Sequence, residues 1–198
     1  MNPSNSIVPV TAVDRQRRKL ALLAVGVTGG AGLVATSVPF IASLQPSALA
    51  RAEGGPVDID FAGLPAGESK TVAWRGQPVW ILRRTPAMIT ALQQADPALA
   101  DPLSARSEQP ADCRNATRSL RPDLFVAIGI CTHLGCSPQL QLDNPALNAE
   151  LRAPGGYLCP CHGSRFDLAG RVVRNVPAPT NLVIPVHRLT GPSTLVVG

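Results

Sequence analysis

Two short stretches, CTHLGC at 131–136 and CPCHGS at 159–164, decide how the rest of this chain is interpreted. Together they hold four of the five cysteines and two of the three histidines among 198 residues. Cysteine and histidine are common ligands of zinc and iron in proteins. Such clustering, in a chain with so few of either residue, indicates that the two stretches together form one metal centre.

The residue types allow three kinds of site. A tetrahedral zinc site would use one cysteine and one histidine from each stretch, which leaves Cys136 and Cys161 without a role. A thiol-redox pair of Cys159 and Cys161 has the wrong spacing, because redox cysteines usually follow the pattern C-x-x-C at a helix N-terminus. A [2Fe–2S] cluster of the Rieske type takes two cysteines and two histidines. The remaining cysteine of each stretch could then join the other in a disulfide, so this third site uses every residue.

At these residues the chain resembles the Rieske iron–sulfur subunits of bacterial ubiquinol–cytochrome c reductase, the cytochrome bc complex or respiratory complex III. Both stretches match the two cluster-binding signatures of that family letter for letter. Val176-Pro177-Ala178-Pro179 matches the family's proline loop, represented here by Pro177, Ala178 and Pro179. The resemblance covers nearly the whole chain and implies one Rieske [2Fe–2S] cluster per chain.

The resemblance also implies a role for each residue of the two stretches. Cys131 and Cys159 would bind the buried iron, and His133 and His162 would bind the exposed iron. Cys136 and Cys161 would form the disulfide. His162 is expected to contact the quinol hydroxyl, and Leu134 and Gly135 to border the quinol-docking surface. Neutral imidazoles leave the cluster less negative than thiolates would, so electron uptake becomes easier.

Two further residues are expected to tune the cluster through hydrogen bonding. Ser164 matches the family serine whose hydroxyl binds a cluster sulfide. Where the family commonly has a tyrosine that donates to a ligand cysteine, this chain has Phe166. Without that donor the reduced form is less stabilised, so we predict a lower potential than in tyrosine-bearing relatives. Cys113 is expected to be a free thiol, and His187 a surface or packing residue.

The N-terminal part of the chain indicates a membrane anchor. No charged residue occurs between Leu20 and Ala50. A helix over 20–44 would be about 37 Å long, against a hydrocarbon core of about 30 Å. A cleaved secretory signal is the alternative, because residues 47–50 resemble a cleavage site, but its apolar core is usually about 7–15 residues. We therefore expect a single-pass transmembrane anchor at 20–44, a tether or hinge at 45–56 and a head domain at 57–198.

The distribution of basic residues predicts the orientation of the chain. Residues 1–19 carry +3 of the total net charge of +5, so the remainder has no basic stripe that could track phosphates. We therefore exclude nucleic acid as a partner. The positive-inside rule places residues 1–19 in the cytoplasm and the head in the periplasm, at the bacterial inner membrane. Arg17-Arg18 before the apolar run resembles a twin-arginine export signal.

Apolar periodicity predicts an all-β head of antiparallel sheets with a cluster-binding subdomain and a small helical insertion. A hairpin is expected at 71–82 around Arg75-Gly76-Gln77, and a helix at 86–95 with Thr85 as its N-cap. Residues 96–122 are interpreted as an extended surface loop. The remaining strands are expected at 124–130, 139–143, 156–158, 171–173, 182–187 and 194–197.

The resemblance implies an electron-transfer subunit of a membrane oxidoreductase and translocase in the respiratory chain. It would take an electron from ubiquinol bound at cytochrome b and deliver it to the c-type cytochrome subunit, within a complex that is dimeric in this family. Two other functions are considered. A soluble-type Rieske ferredoxin lacks the anchor and the disulfide cysteines. The small subunit of an exported molybdenum oxidoreductase can have both. The proline loop and the residues of the two signatures, CTHLGC and CPCHGS, favour the quinol enzyme.

Overall fold

The structure is a computed structural model, and it describes residues 12–45, 47, 54–94 and 97–198. These residues fall into two compact units, one containing a long helix and the other a head with every remaining element. In chain order the elements are α1 Ala12–Ser43, β1 Val57–Asp60, β2 Ser69–Trp74, β3 Gln77–Arg83, α2 Pro86–Gln93, a 3-10 turn Ala111–Cys113, β4 Leu124–Ile128, β5 Gln139–Gln141, α3 Pro145–Leu151, β6 Gly156–Leu158, β7 Arg165–Phe166, β8 His187–Leu189 and β9 Thr194–Val197.

The helix α1 is longer than the predicted anchor at 20–44. It begins eight residues earlier, because arginine and lysine are good helix formers and the helix continues back through the basic segment. Its length and composition suffice to cross a membrane, and none of the tested span is buried inside the protein. Residues 1–11 of the predicted N-terminal segment, and residues 46 and 48–53 of the predicted tether, lie outside the described residues.

The middle layer of the head is the antiparallel sheet β2-β3-β4. Alternate side chains of β3 enter different apolar clusters, with Trp80 and Leu82 on one face and Val79 and Ile81 on the other. Every residue of β4 is buried. Burial on both faces explains why β4 is a continuous apolar run in the sequence, as predicted.

A second sheet, β1-β9-β8, contributes apolar residues to the cluster that contains Val79 and Ile81. The predicted hairpin between β2 and β3 is confirmed. Its turn has two residues, Arg75 and Gly76, both with positive φ of 51° and 70°. Two such residues suit the right-handed twist of a tight hairpin.

The third sheet, β5-β6-β7, lies on the side of Trp80 and Leu82 and carries the two signature stretches. Its strands are antiparallel, with Gln139 opposite Leu158. Since 131–136 precedes β5 and 159–164 follows β6, both stretches leave the sheet at the same end. The helix α3 between β5 and β6 was not predicted, although Asn144 caps it and Pro145 occupies its first position.

Some predicted elements differ from the structure. The helix α2 and its Thr85 cap are confirmed. The stretch 97–122 is only partly a surface loop, because its side chains include the fully buried Leu99 and Arg118 alongside exposed ones such as Leu103. Residues 182–186 form no strand, and 171–173 pair only through isolated bridges. Strands as short as β7 carry too few residues to show a period in the sequence.

Gly156 provides a test of how tightly β6 is packed. A Cβ there would lie 2.3 Å from Leu151 Cδ1 and 2.7 Å from the Phe166 carbonyl oxygen, which is backbone and cannot rotate away. We expect Gly156→Ala to lower the free energy of unfolding by about 1–3 kcal/mol, measured by denaturant titration of the head. Gly63→Ala is the matched control, since no atom lies within 4 Å of its Cβ position. Equal midpoints for the two variants would contradict the packing described for β6.

Candidate metal centre

The two signature stretches, here called loop 1 (131–136) and loop 2 (159–164), share one backbone design. In each, the amide of the first cysteine donates to the carbonyl five residues later, and the amide of the fifth residue donates back to the carbonyl of that cysteine. The fifth residue is Gly135 in loop 1 and Gly163 in loop 2, with φ of 85° and 72°. This left-handed conformation favours glycine. The two stretches, which resemble each other in their cysteines and histidines, therefore also share the same backbone conformation.

A disulfide between Cys136 and Cys161 joins the two loops, with an S–S distance of 2.03 Å. The predicted disulfide is confirmed. The sulfur of Cys159 lies within 4.8 Å of both disulfide sulfurs. Because Cys136 and Cys161 are bonded to each other, neither can offer a thiolate to a metal. The free cysteines of the described residues are Cys131, Cys159 and, outside the loops, the buried Cys113.

The two free cysteines of the loops form a buried pair. Cys131 and Cys159 are only 3% and 2% exposed. Burial raises the pKa of the Cys131 thiol, and the adjacent Cys159 sulfur raises it further, although the His133 amide and the Ser164 hydroxyl act in the opposite direction. A bound cation would favour the thiolate form of Cys131 against this effect of burial.

The two histidines form a second pair. The rings of His133 and His162 meet edge to face, with their centroids 4.8 Å apart. His162 is exposed and His133 is half-buried. Leu134, which is 72% exposed, and the exposed Gly135 lie beside them in loop 1. The tips of the loops therefore present two imidazoles within a small apolar rim.

This donor set fits a Rieske-type cluster. The loops offer two adjacent buried sulfurs, from Cys131 and Cys159, and two adjacent imidazoles, from His133 and His162. A [2Fe–2S] centre with two cysteines on one iron and two histidines on the other requires these two pairs. The disulfide accounts for the two remaining cysteines of the loops.

The predicted proline loop and the residue that follows it are hydrogen-bonded to both signature loops. The Ala178 amide donates to the Ser164 hydroxyl oxygen at 3.0 Å, and the Thr132 hydroxyl donates to the Thr180 carbonyl oxygen at 2.7 Å. Ala178 is buried, while Pro177 and Pro179 on either side are exposed. Thr132 was not singled out from the sequence. Its place inside loop 1 is the only signal that could have suggested a role.

Phe166 lies in the apolar core behind loop 2. It is fully buried and pairs across the strands with Tyr157 of β6. Tyr157 stacks on Trp80, with ring centroids 5.0 Å apart. Phe166 has no hydroxyl to donate, and the buried Tyr157 hydroxyl has no hydrogen-bond partner among the described residues.

His187, outside the site, is buried and contacts the Pro185 carbonyl oxygen at 2.8 Å, as expected of a packing residue.

The fold and this site define a Rieske protein, since the profile of the Rieske [2Fe-2S] domain matches residues 59–188. The chain is 50% identical over 186 residues to the "Ubiquinol-cytochrome c reductase iron-sulfur subunit" of Allochromatium vinosum, covering 94% of this chain and 90% of that protein. It therefore belongs to this family of iron–sulfur subunits of respiratory complex III, whose role is electron transfer. Its cofactor is the predicted [2Fe–2S] cluster.

Two further similarities extend the comparison. The protein of the same name from Blastochloris viridis is 36% identical over 186 residues, covering 93% of this chain and 94% of that protein. Among solved structures, a chain of "Hyperthermophilic respiratory Complex III" is 24% identical with a TM-score of 0.45, covering 89% of this chain and 98% of that one.

The Ser164 hydroxyl contacts both the Ala178 amide and the Cys131 sulfur, so its loss should have two effects. We expect Ser164→Ala to destabilise the head by about 1–3 kcal/mol, because the buried Ala178 amide loses its acceptor. We also expect a lower midpoint potential in an EPR-monitored redox titration. Thr132→Val is the control, since it also releases the proline loop but removes no donor to a sulfur. A potential lowered equally in both variants would assign the effect to the proline loop alone.

Phe166→Tyr should raise the midpoint potential, because a hydroxyl at this buried position would supply the donor that the chain lacks. A hydrogen bond to a charged group contributes about 1.5–3 kcal/mol. The shift should therefore be at most roughly 60–130 mV for a one-electron couple. The same redox titration measures it, and an unchanged or lowered potential would refute this account of Phe166.

Proposed function

We propose that this subunit takes one electron from ubiquinol at the tip of the head and passes it to a c-type cytochrome. The observation that carries the proposal is the pair of adjacent imidazoles, half-buried His133 and exposed His162, in the same two loops as the buried sulfurs of Cys131 and Cys159. Such an arrangement places the redox group next to an incoming partner while the cysteines exclude water behind it. The names of the relatives, which specify ubiquinol and cytochrome c, support the same assignment.

We infer that Cys131 and Cys159 hold one iron, and that His133 and His162 hold the other. The burial of both thiols and the contact between both rings support this division. When bound, a [2Fe–2S] cluster supplies one-electron redox chemistry at a raised potential. The remaining steps belong to side chains of this chain and to its substrate.

His162 is the more exposed of the two histidines, so we assign it the contact with the quinol hydroxyl. It accepts the hydroxyl proton through its outer ring nitrogen, which couples proton release from the quinol to electron transfer. Leu134 and Gly135 provide an apolar rim on which the quinol ring can pack. The Cys136–Cys161 disulfide holds the two loop tips together, and so fixes the distance between this rim and His162.

We further propose that α1 anchors the chain in the bacterial inner membrane, with residues 1–19 in the cytoplasm and the head in the periplasm. The charges support this orientation, since four basic residues precede the apolar span. A head in the periplasm also agrees with the disulfide, which persists in oxidising compartments. The Arg17-Arg18 pair fits export of a folded head that already carries its cofactor. The tether at 45–56 then serves as the hinge between anchor and head.

The partners follow from the same proposal. Cytochrome b presents the quinol, the c-type cytochrome subunit receives the electron, and the assembled complex is a dimer that translocates protons. The relatives that cover nearly the whole of this chain, and are themselves covered nearly in full, support assembly into such a complex.

Matched cysteine variants test the ligand set. We expect EPR of membranes that contain the full chain to give a rhombic Rieske signal after ascorbate alone, because a quinol oxidant must have a high potential. Cys159→Ala should abolish the signal under ascorbate and under dithionite. Cys113→Ala removes an equally buried thiol outside the loops and should retain it.

Each contradicting result has a distinct meaning. A signal that requires dithionite would place the protein among low-potential Rieske ferredoxins. A normal signal in Cys159→Ala would refute the ligand set. Wild-type protein that gives no signal and retains zinc would refute the cluster altogether.

A further inference from the structure

Among the described residues, the head buries two arginines that form no ion pair with a carboxylate, although Asp167 lies near enough to act electrostatically on both. Arg84 is 2% exposed and Arg118 is fully buried. All hydrogen-bond acceptors of the Arg84 guanidinium are neutral: the carbonyl oxygens of Thr117, Pro122 and Leu168 and the Ser119 hydroxyl. A buried charge is costly unless it is paired or fully hydrogen-bonded, so this arrangement requires an explanation.

Arg118 is bound in the same way. Its guanidinium donates to the side-chain oxygen of Gln109 at 2.8 Å and to the Leu182 carbonyl oxygen at 2.8 Å. It also donates to the carbonyl oxygens of Ala169 and Gly170. Burial lowers the pKa of both Arg84 and Arg118 to about 10, so both remain charged at pH 7.

The buried charges of the head do not balance. Among the described residues, three arginines and two aspartates are buried, which leaves a net charge of +1: Arg84, Arg118, Arg171, Asp101 and Asp167. Arg171 pairs with Asp167 at 2.6 Å. The Asp101 carboxylate instead accepts hydrogen bonds from two backbone amides and the Ser107 hydroxyl.

The two arginines border the apolar cluster that contains the cysteine ligands of the centre. Leu168 and Leu182, whose carbonyl oxygens bind the two arginines, belong to the same apolar cluster as Cys131 and Cys159. The Arg84 guanidinium lies 4.7 Å from the centroid of the Phe125 ring, and the Phe125 ring lies 6.2 Å from the ring of Tyr157 in β6, the strand that leads into loop 2. Little solvent screens a charge in such an interior, so its field extends further than that of a surface charge.

We infer that Arg84 and Arg118 raise the reduction potential of the centre, because they lie against the apolar cluster that contains its cysteine ligands and give the interior of the head an excess of positive charge. Reduction adds one negative charge to the site, and the two guanidinium groups stabilise that charge. Asp167 has the opposite effect, because it is the buried carboxylate closest in sequence to loop 2. This inference deepens the proposed function and rests on its ligand set.

The competing explanation is purely structural. Both arginines bind carbonyl oxygens of the segment 168–170, which follows loop 2 and β7, so they could serve only to hold that segment in place. A loss of structure would alter the potential in the same direction whichever charge is removed. An electrostatic effect has the sign of the removed charge.

The test is a redox titration by EPR of the assembled membrane complex with three variants. Arg118→Gln should lower the equilibrium constant for reduction by about threefold to tenfold, a decrease of about 30–60 mV. Asp167→Asn should raise it. Arg188→Gln is the control, since it removes the same charge from an exposed side chain and should leave the potential unchanged.

Opposite shifts in Arg118→Gln and Asp167→Asn, with no shift in Arg188→Gln, support the inference. Shifts of the same sign, or no shift in Arg118→Gln, overturn it. If Arg118→Gln does not assemble, Arg84→Gln is substituted and judged by the same criteria. A wild-type complex without a Rieske signal would instead refute the proposed function, so the two failures are distinguishable.

Discussion

The antiparallel pairing of β5 with β6 is the constraint on which the metal centre depends. With Gln139 opposite Leu158, the end of loop 1 and the start of loop 2 meet at one edge of the sheet, although 22 residues of chain separate them. A shift of the register by one residue would turn the flanking side chains to the opposite face. The disulfide between Cys136 and Cys161 depends on this pairing, because its two cysteines belong to different loops.

The sequence made the centre predictable but revealed little of its support. Ligands, disulfide and proline loop lie in short local motifs, and the helix α2 carries the capping signals that Thr85 and Pro86 provide. Arg84 and Arg118 carry no comparable local signal, because a single arginine is usually a surface residue. Their acceptors Leu168 and Ala169 lie 84 and 51 residues away along the chain. Only the folded chain could identify them as interior groups.

The segment 97–122 differs from the predicted surface loop because its contacts, too, are distant in the sequence. The local sequence, rich in prolines and charged residues, predicts a surface loop. Here the polar groups face inward, where Asn181 donates to the Asp101 carbonyl oxygen and to the Ser104 hydroxyl. The segment also pairs with the backbone beyond β7, since the Ala100 amide donates to the Val172 carbonyl oxygen and the Ile184 amide donates to the Glu108 carbonyl oxygen. Such long-range pairing leaves no periodic pattern in the sequence.

The choice of arginine at these positions is difficult to explain by stability alone. The effective cost of burying an ion is several kcal/mol, and well-packed apolar residues often replace buried charges without loss of stability. Leu168, Ala169 and Leu182 need donors for their carbonyl oxygens, but neutral donors such as asparagine, glutamine or backbone amides could provide them. What a guanidinium adds is a positive charge in a region of low dielectric constant. For a centre that gains one electron in each cycle, a positive charge in the interior stabilises the reduced form, which a neutral donor would do less well.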